Sequence, residues 1–115
     1  MLLPFSLLFV HWLADFVCQS DEMALGKSWH NGWLTVHVAV YTFVMAGWAF
    51  LSLPVAVAMG FLGITFVTHW VTDYYTSRLT TRLWKANQRH WFFVAIGADQ
   101  LAHYAMLMLT LRLVA

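Results

Sequence analysis

The sequence predicts an all-α membrane protein, a four-transmembrane-helix bundle, and three observations carry that expectation. Of 115 residues, 62% are hydrophobic and 10% charged, where soluble domains run at about 45–50% apolar and about 25% charged. Four stretches reach the roughly 20 mostly apolar residues that a bilayer span needs, at about 2–19, 33–52, 55–78 and 91–113. No stretch alternates apolar and polar residues as a half-buried strand would.

The elements follow in order as one membrane domain, residues 1–115. Pro4 lies in the first turn of span one, where its missing N–H costs nothing. That span lacks the basic leader and small-residue cleavage site of a signal peptide, so it is expected to be retained. Leu53-Pro54 separates spans two and three with almost no loop, which makes them an antiparallel hairpin. Gly60, Gly63 and Gly97 are expected points of close backbone approach. The single Cys18 excludes an intrachain disulfide and a cysteine-based zinc motif. Net charge is +1, and no nucleic-acid partner is expected.

Charge placement predicts orientation. Lys27 lies in the 20–32 loop; Arg82, Lys85 and Arg89 lie in the 79–90 loop, with Arg78 at its edge. The positive-inside rule puts both loops in the cytoplasm and both termini outside. Trp29, Trp33, Trp84 and Trp91 flank these loops as an interfacial belt would. On a helix, Arg78, Arg82, Lys85 and Arg89 form one basic stripe that, with Lys27, suits anionic lipid headgroups.

An internal repeat organises the chain. His11-Trp12-Leu13-Ala14-Asp15-Phe16 resembles His69-Trp70-Val71-Thr72-Asp73-Tyr74 at an offset of 58, and Trp33 and Val36 match Trp91 and Val94 at the same offset. Residues 1–57 and 59–115 therefore read as two tandem helical hairpins, related by a pseudo-twofold axis along the membrane normal.

The chemistry sits inside the spans. Three of the five acidic residues lie there, each four residues from a histidine: His11/Asp15, His69/Asp73 and Asp99/His103. That spacing places both side chains on one helix face. A lone carboxylate in mid-bilayer costs about 2.5–3.5 kcal/mol even on lenient scales, so these groups must meet partners, a cavity or a cation. Counted at about 1.5 Å per residue, all six and His37 fall within about 6–18 Å of the loop-bearing face. Gln19 and Gln100 extend or flank the stripes and are expected to orient ligands by hydrogen bonds.

Imidazole and carboxylate on facing helices are how bundles hold metal ions. The expected ligands are His11, Asp15, His37, His69, Asp73, Asp99 and His103, enough for one or two divalent ions. Zinc is the leading candidate, with manganese or iron also suited. One division puts His11, Asp15 and His37 on one ion and His69, Asp73, Asp99 and His103 on the other, with an aspartate as possible bridge.

The ordered pattern His11-x3-Asp15-Phe16-x2-Gln19, Lys27, His37, His69-x3-Asp73-Tyr74 and Asp99-Gln100-x2-His103 resembles a family of small bacterial and phage membrane proteins, domain of unknown function 3307. The resemblance implies a multi-span membrane protein. More loosely, the pattern looks like membrane-bound metal-dependent hydrolases of the YdjM type, whose His and Asp residues sit at helix ends near the membrane surface.

Three functions are compatible with these features. The leading one is a metal-dependent hydrolase acting from the cytoplasmic side on a lipid-linked or headgroup substrate, with Asp15 or Asp73 as proton acceptor. The second is a non-enzymatic phage or bacterial membrane accessory protein, with the His/Asp cluster as structural glue. The third is an ion or proton conductor. The small size of the bundle is compatible with homo-oligomerisation.

Overall fold

The computed structural model describes residues 2–115, with the side chains described from Pro4 onward. Every regular element among them is helical: α1 (Leu2–Trp12), a π-helical turn (Leu13–Val17), α2 (Asp21–Gly26), α3 (Asn31–Ser52), α4 (Val55–Lys85) and α5 (Arg89–Val114). Helices α3, α4 and α5 are long and apolar enough to cross a membrane. The first apolar segment is shorter than expected. Its 16 residues, 2–17, reach roughly 24 Å at α-helical rise, against about 30 Å of hydrocarbon in a bilayer.

Two further boundaries differ from the sequence reading. The 20–32 segment is not all loop, because Ser20 caps a helix there. Its hydroxyl accepts from the Met23 N–H at 3.2 Å, and Asp21 and Glu22 place negative charge on the first turn. Helix α4 does not stop near residue 78 but continues to Lys85. It ends at Asn87, whose φ of 63° is left-handed. The Gln88 N–H reaches Leu83 O at 2.9 Å and the Asn87 N–H reaches Trp84 O at 3.0 Å, a Schellman closure with asparagine in place of glycine. The tight turn sends α5 back along α4.

The glycine expectation is corrected. A Cβ on Gly63 or Gly97 would meet nothing within 4 Å, and one on Gly60 would make an ordinary contact with Val114. The close approach is at Gly26, where a Cβ would lie 2.6 Å from the Trp33 ring. Gly26 thus lets the end of α2 fold onto the start of α3.

The buried stripe of α4 runs Ala58, Phe61, Thr65, His69, Asp73, Ser77, Thr80. It changes from apolar to polar along the helix. The buried stripe of α3 makes the opposite change, from His37 through Tyr41 to Met45, Trp48 and Ala49. The two helices are joined by Leu53-Pro54 and pack side by side, so the apolar ends coincide. Leu7, Met45, Trp48, Ala49, Ala58 and Phe61 form a buried apolar cluster at that end. The Trp48 indole N–H donates to Ser6 Oγ at 2.9 Å there. The polar stripes are left facing one another at the other end. Outside, Phe43, Leu51, Leu101 and Leu113 are exposed apolar residues, and the Thr35 and Thr68 hydroxyls donate to carbonyls one turn back.

Candidate metal centre

The π-helical turn decides which half of the first His–Asp pair enters the site. Its five-residue closure, Cys18 N–H to Leu13 O at 3.0 Å, rotates Asp15 relative to His11. The two end 3.8 Å apart at Asp15 Oδ2, while His69 and Asp73, on regular helix, meet at 3.3 Å. Asp15 Oδ1 instead turns to His37 Nε2 at 3.0 Å and His69 Nε2 at 3.5 Å. Such turns often occur at functional sites.

Four buried ligand atoms result: Asp15 Oδ1, His37 Nε2, His69 Nε2 and Asp73 Oδ2, all within 4.8 Å of one another. His37 Nε2 lies 3.0 Å from Asp73 Oδ2 and 3.2 Å from His69 Nε2. Five of the six edges of this tetrahedron therefore measure between 3.0 and 3.5 Å. Tetrahedral coordination with bonds of about 2.0–2.1 Å requires edges of about 3.3–3.4 Å. Hydrogen bonding alone accounts poorly for the set. One imidazole N–H points at one acceptor, yet His37 Nε2 has two carboxylate oxygens and a second imidazole nitrogen at this range. Asp15 Oδ1 has no hydrogen bond of acceptable geometry. Two buried carboxylates that share so few imidazole protons are costly, and a cation among the four atoms removes that cost.

Asp73 carries a second set on its other oxygen. His103 Nε2 is 3.3 Å from Asp73 Oδ1, and Asp73, Asp99 and His103 form a second group able to hold an ion. The structure therefore groups the residues differently from the division read in the sequence. His69 joins Asp15 and His37, and Asp73 belongs to both groups.

His11 belongs to neither. Gln100 donates from Nε2 to Asp99 Oδ2 at 3.1 Å, which fixes its Oε1 towards His11 Nε2 at 3.0 Å. His11 therefore donates from Nε2, and its Nδ1 accepts from the Tyr41 hydroxyl at 2.6 Å. Tyr41 to His11 to Gln100 to Asp99 is one continuous chain. Gln100 thus holds a carboxylate of the cluster by a hydrogen bond. Gln19 lines the groove beside Asp15, and its Oε1 is buried without a hydrogen-bond partner. Sequence reasoning misses Tyr41 as a site residue; its signal is the single turn separating it from His37 on α3.

The cluster forms the floor of a groove of about 1080 Å³. Asp15, Asp73 and Asp99 reach it from below. Lys27, Arg78, Arg82 and Lys85 line it, as do Phe16, Trp29, Trp84, Phe92 and Phe93. Lys27 is mostly buried, with Nζ 3.3 Å from Asp73 Oδ2. Arg78 lies over the Tyr74 ring and donates to Asn31 Oδ1 at 2.8 Å. Arg89, the last of the basic stripe, stacks at 3.5 Å over Trp84 and stands outside the groove lining. His30 caps α3 by accepting from the Trp33 N–H at 3.3 Å.

Comparison with known proteins places this architecture in one family. No curated protein and no solved structure matches the chain. A family profile does match, over residues 3–115, nearly the whole length and every residue of the cluster. The chain belongs to the family described as "Protein of unknown function (DUF3307)".

Proposed function

We propose that this is a membrane-embedded, metal-dependent hydrolase acting on an amphiphile with an anionic phosphate-type headgroup. The observation that carries the reading is the near-tetrahedral set Asp15 Oδ1, His37 Nε2, His69 Nε2 and Asp73 Oδ2 at the floor of a groove with cationic and aromatic walls. Two nitrogens and two oxygens suit zinc, with manganese or iron as alternatives. A divalent ion at this cluster with a position left open to water would lower the pKa of that water towards about 7 and polarise a phosphoryl oxygen.

The chain's own groups supply the rest. Lys27, Arg78, Arg82 and Lys85 draw in the headgroup. Phe16, Phe92 and Phe93 receive the apolar part. Asp73 is committed through both oxygens, to Lys27, His37 and His69 on one and His103 on the other. The other oxygen of Asp15 pairs, among the described residues, with His11 alone at 3.8 Å, so Asp15 is the proton acceptor of the two.

In the membrane, α3, α4 and α5 cross fully and the first apolar segment is a short fourth crossing, with the groove opening to the cytoplasm of a bacterial inner membrane. The two tandem hairpins of the sequence repeat carry Asp15 and Asp73 to the same nitrogen of His37, which supports the duplication. The buried apolar cluster around Trp48 and Phe61 favours a blind pocket over a conducting path. A purely structural cluster is the competing reading, favoured by the satisfied chain through His11.

Elemental analysis of the protein purified in detergent without chelator tests the proposal. The expected result is bound divalent metal that is lost in His37→Ala and Asp15→Asn, and metal-dependent phosphate release from a lipid phosphate. Protein that folds, binds no metal and is indifferent to His37→Ala refutes it and leaves the structural reading.

A further inference from the structure

The geometry points to a second divalent-cation position, held by Asp73 Oδ1, Asp99 Oδ1 and His103 Nε2, so that Asp73 bridges a two-ion centre. This rests on the metal-binding reading above and extends it.

The hydrogen bonds of His103 assign its tautomer. Its Nδ1 is 2.8 Å from the carbonyl oxygen of Asp99, one turn earlier on α5. A carbonyl only accepts, so Nδ1 carries the proton. In the neutral ring Nε2 is then a bare lone pair. That atom is buried and has no hydrogen bond of acceptable geometry, in a side chain 4% exposed. It faces Asp73 Oδ1, another acceptor, at 3.3 Å. Asp99 Oδ1, also buried and without a close hydrogen bond, lies 3.4 Å from the same ring at Nδ1 and completes the group. The Nε2 and Asp73 Oδ1 lone pairs face each other with no proton between them, beside a second carboxylate, and that describes a cation site.

The two positions differ in kind. The first has four protein ligands, the closed number for a tetrahedral ion. The second has three, the arrangement of catalytic sites that keep an open position. Asp99 lines the groove, so a ligand entering the groove would reach this position. Asp99 is held there by Gln100, itself fixed by His11 and Tyr41. That gives the buried chain a purpose: it aims the one carboxylate that only the second ion uses. Ions that share a carboxylate in this way sit about 3.5–4 Å apart and clamp both oxygens of an in-line displacement. The substrate class that follows is a phosphate ester, whose oxygens can span both ions.

The test is manganese or zinc stoichiometry on the full chain in nanodiscs, with electron paramagnetic resonance of the manganese form. The expected wild-type result is about two ions per chain and an exchange-coupled manganese spectrum. His103→Gln and Asp99→Asn should each retain about one ion and show only an uncoupled signal. A wild type with a single uncoupled ion overturns the second position and leaves the first standing. Two ions that both survive His103→Gln also overturn it, by placing the second ion elsewhere. No ion at all in the wild type removes both readings. Should His103→Gln fail to fold, the wild-type count and coupling decide alone.

Discussion

The Nε2 atoms of His37 and His69 lie 3.2 Å apart, from neighbouring helices and with a carboxylate oxygen of both Asp15 and Asp73 beside them. Two imidazoles in that position need either a shared proton or a shared cation. Removing one should therefore affect metal and stability together. His69→Ala is expected to weaken metal affinity by at least about tenfold. In wild-type protein, saturating metal at about 100 times Kd should add about 2.7 kcal/mol of stability, reversed by chelator. Thermal unfolding in detergent, with and without chelator, measures both effects.

Tyr41→Phe tests the chain behind the site. The substitution leaves His11 Nδ1 buried without its 2.6 Å donor. A loss of about 1–3 kcal/mol is expected from the unsatisfied nitrogen. The first metal position does not involve His11, so its ion should remain. Denaturant unfolding gives the stability, and elemental analysis gives the occupancy of that position.

Gly26→Ala should strain the junction of α2 and α3. The new methyl would lie 2.6 Å from Trp33, and overpacking of this kind costs about 1–3 kcal/mol. Limited proteolysis should cut the 20–30 segment faster. Trp33→Ala in the same chain should relieve the clash, so the double variant should be cut more slowly than the sum of the single effects implies.

Lys27→Gln separates substrate attraction from metal binding. Lys27 neutralises Asp73 at 3.3 Å and lines the groove. Its loss leaves the cluster more negative, so divalent metal should bind no more weakly. A charged hydrogen bond to a phosphate is worth about 1.5–3 kcal/mol. KM for a lipid phosphate should accordingly rise about ten- to a hundredfold. Steady-state kinetics on mixed micelles, read beside a metal titration, checks both expectations.

The i,i+4 pairs make most of the cluster legible, because regular helix turns that spacing into one face and burial cost requires the faces to meet. His69, Asp73, Asp99 and His103 follow that logic directly. His11 does not, because the five-residue turn at Leu13–Val17 interrupts the register, and a π-helical closure leaves no mark in a pattern of apolar residues. The same interruption explains why the repeat, so regular in letters, is unequal in geometry. The extent of α4 is hidden for another reason: residues 79–85 are too polar for a span, yet they continue a helix whose buried face persists through Thr80. The short α2 is signalled by Ser20 followed by Asp21 and Glu22, a capping signature within a stretch that otherwise reads as loop. The tight packing at Gly26 depends on where a ring from the next helix falls, which composition does not encode.

Helix α4, with 31 residues, is about 46 Å long, some 15 Å more than the hydrocarbon of a typical bilayer. Its last turns, bearing Arg78, Arg82 and Lys85, would stand at the waterline as the bank of a channel whose bed is aspartate. An amphiphile drifting in the leaflet could berth there sideways, tail still among its neighbours. Catalysis would then obey surface dilution: its rate would track the mole fraction of substrate in the sheet of lipid, and added inert lipid would slow it at constant bulk concentration.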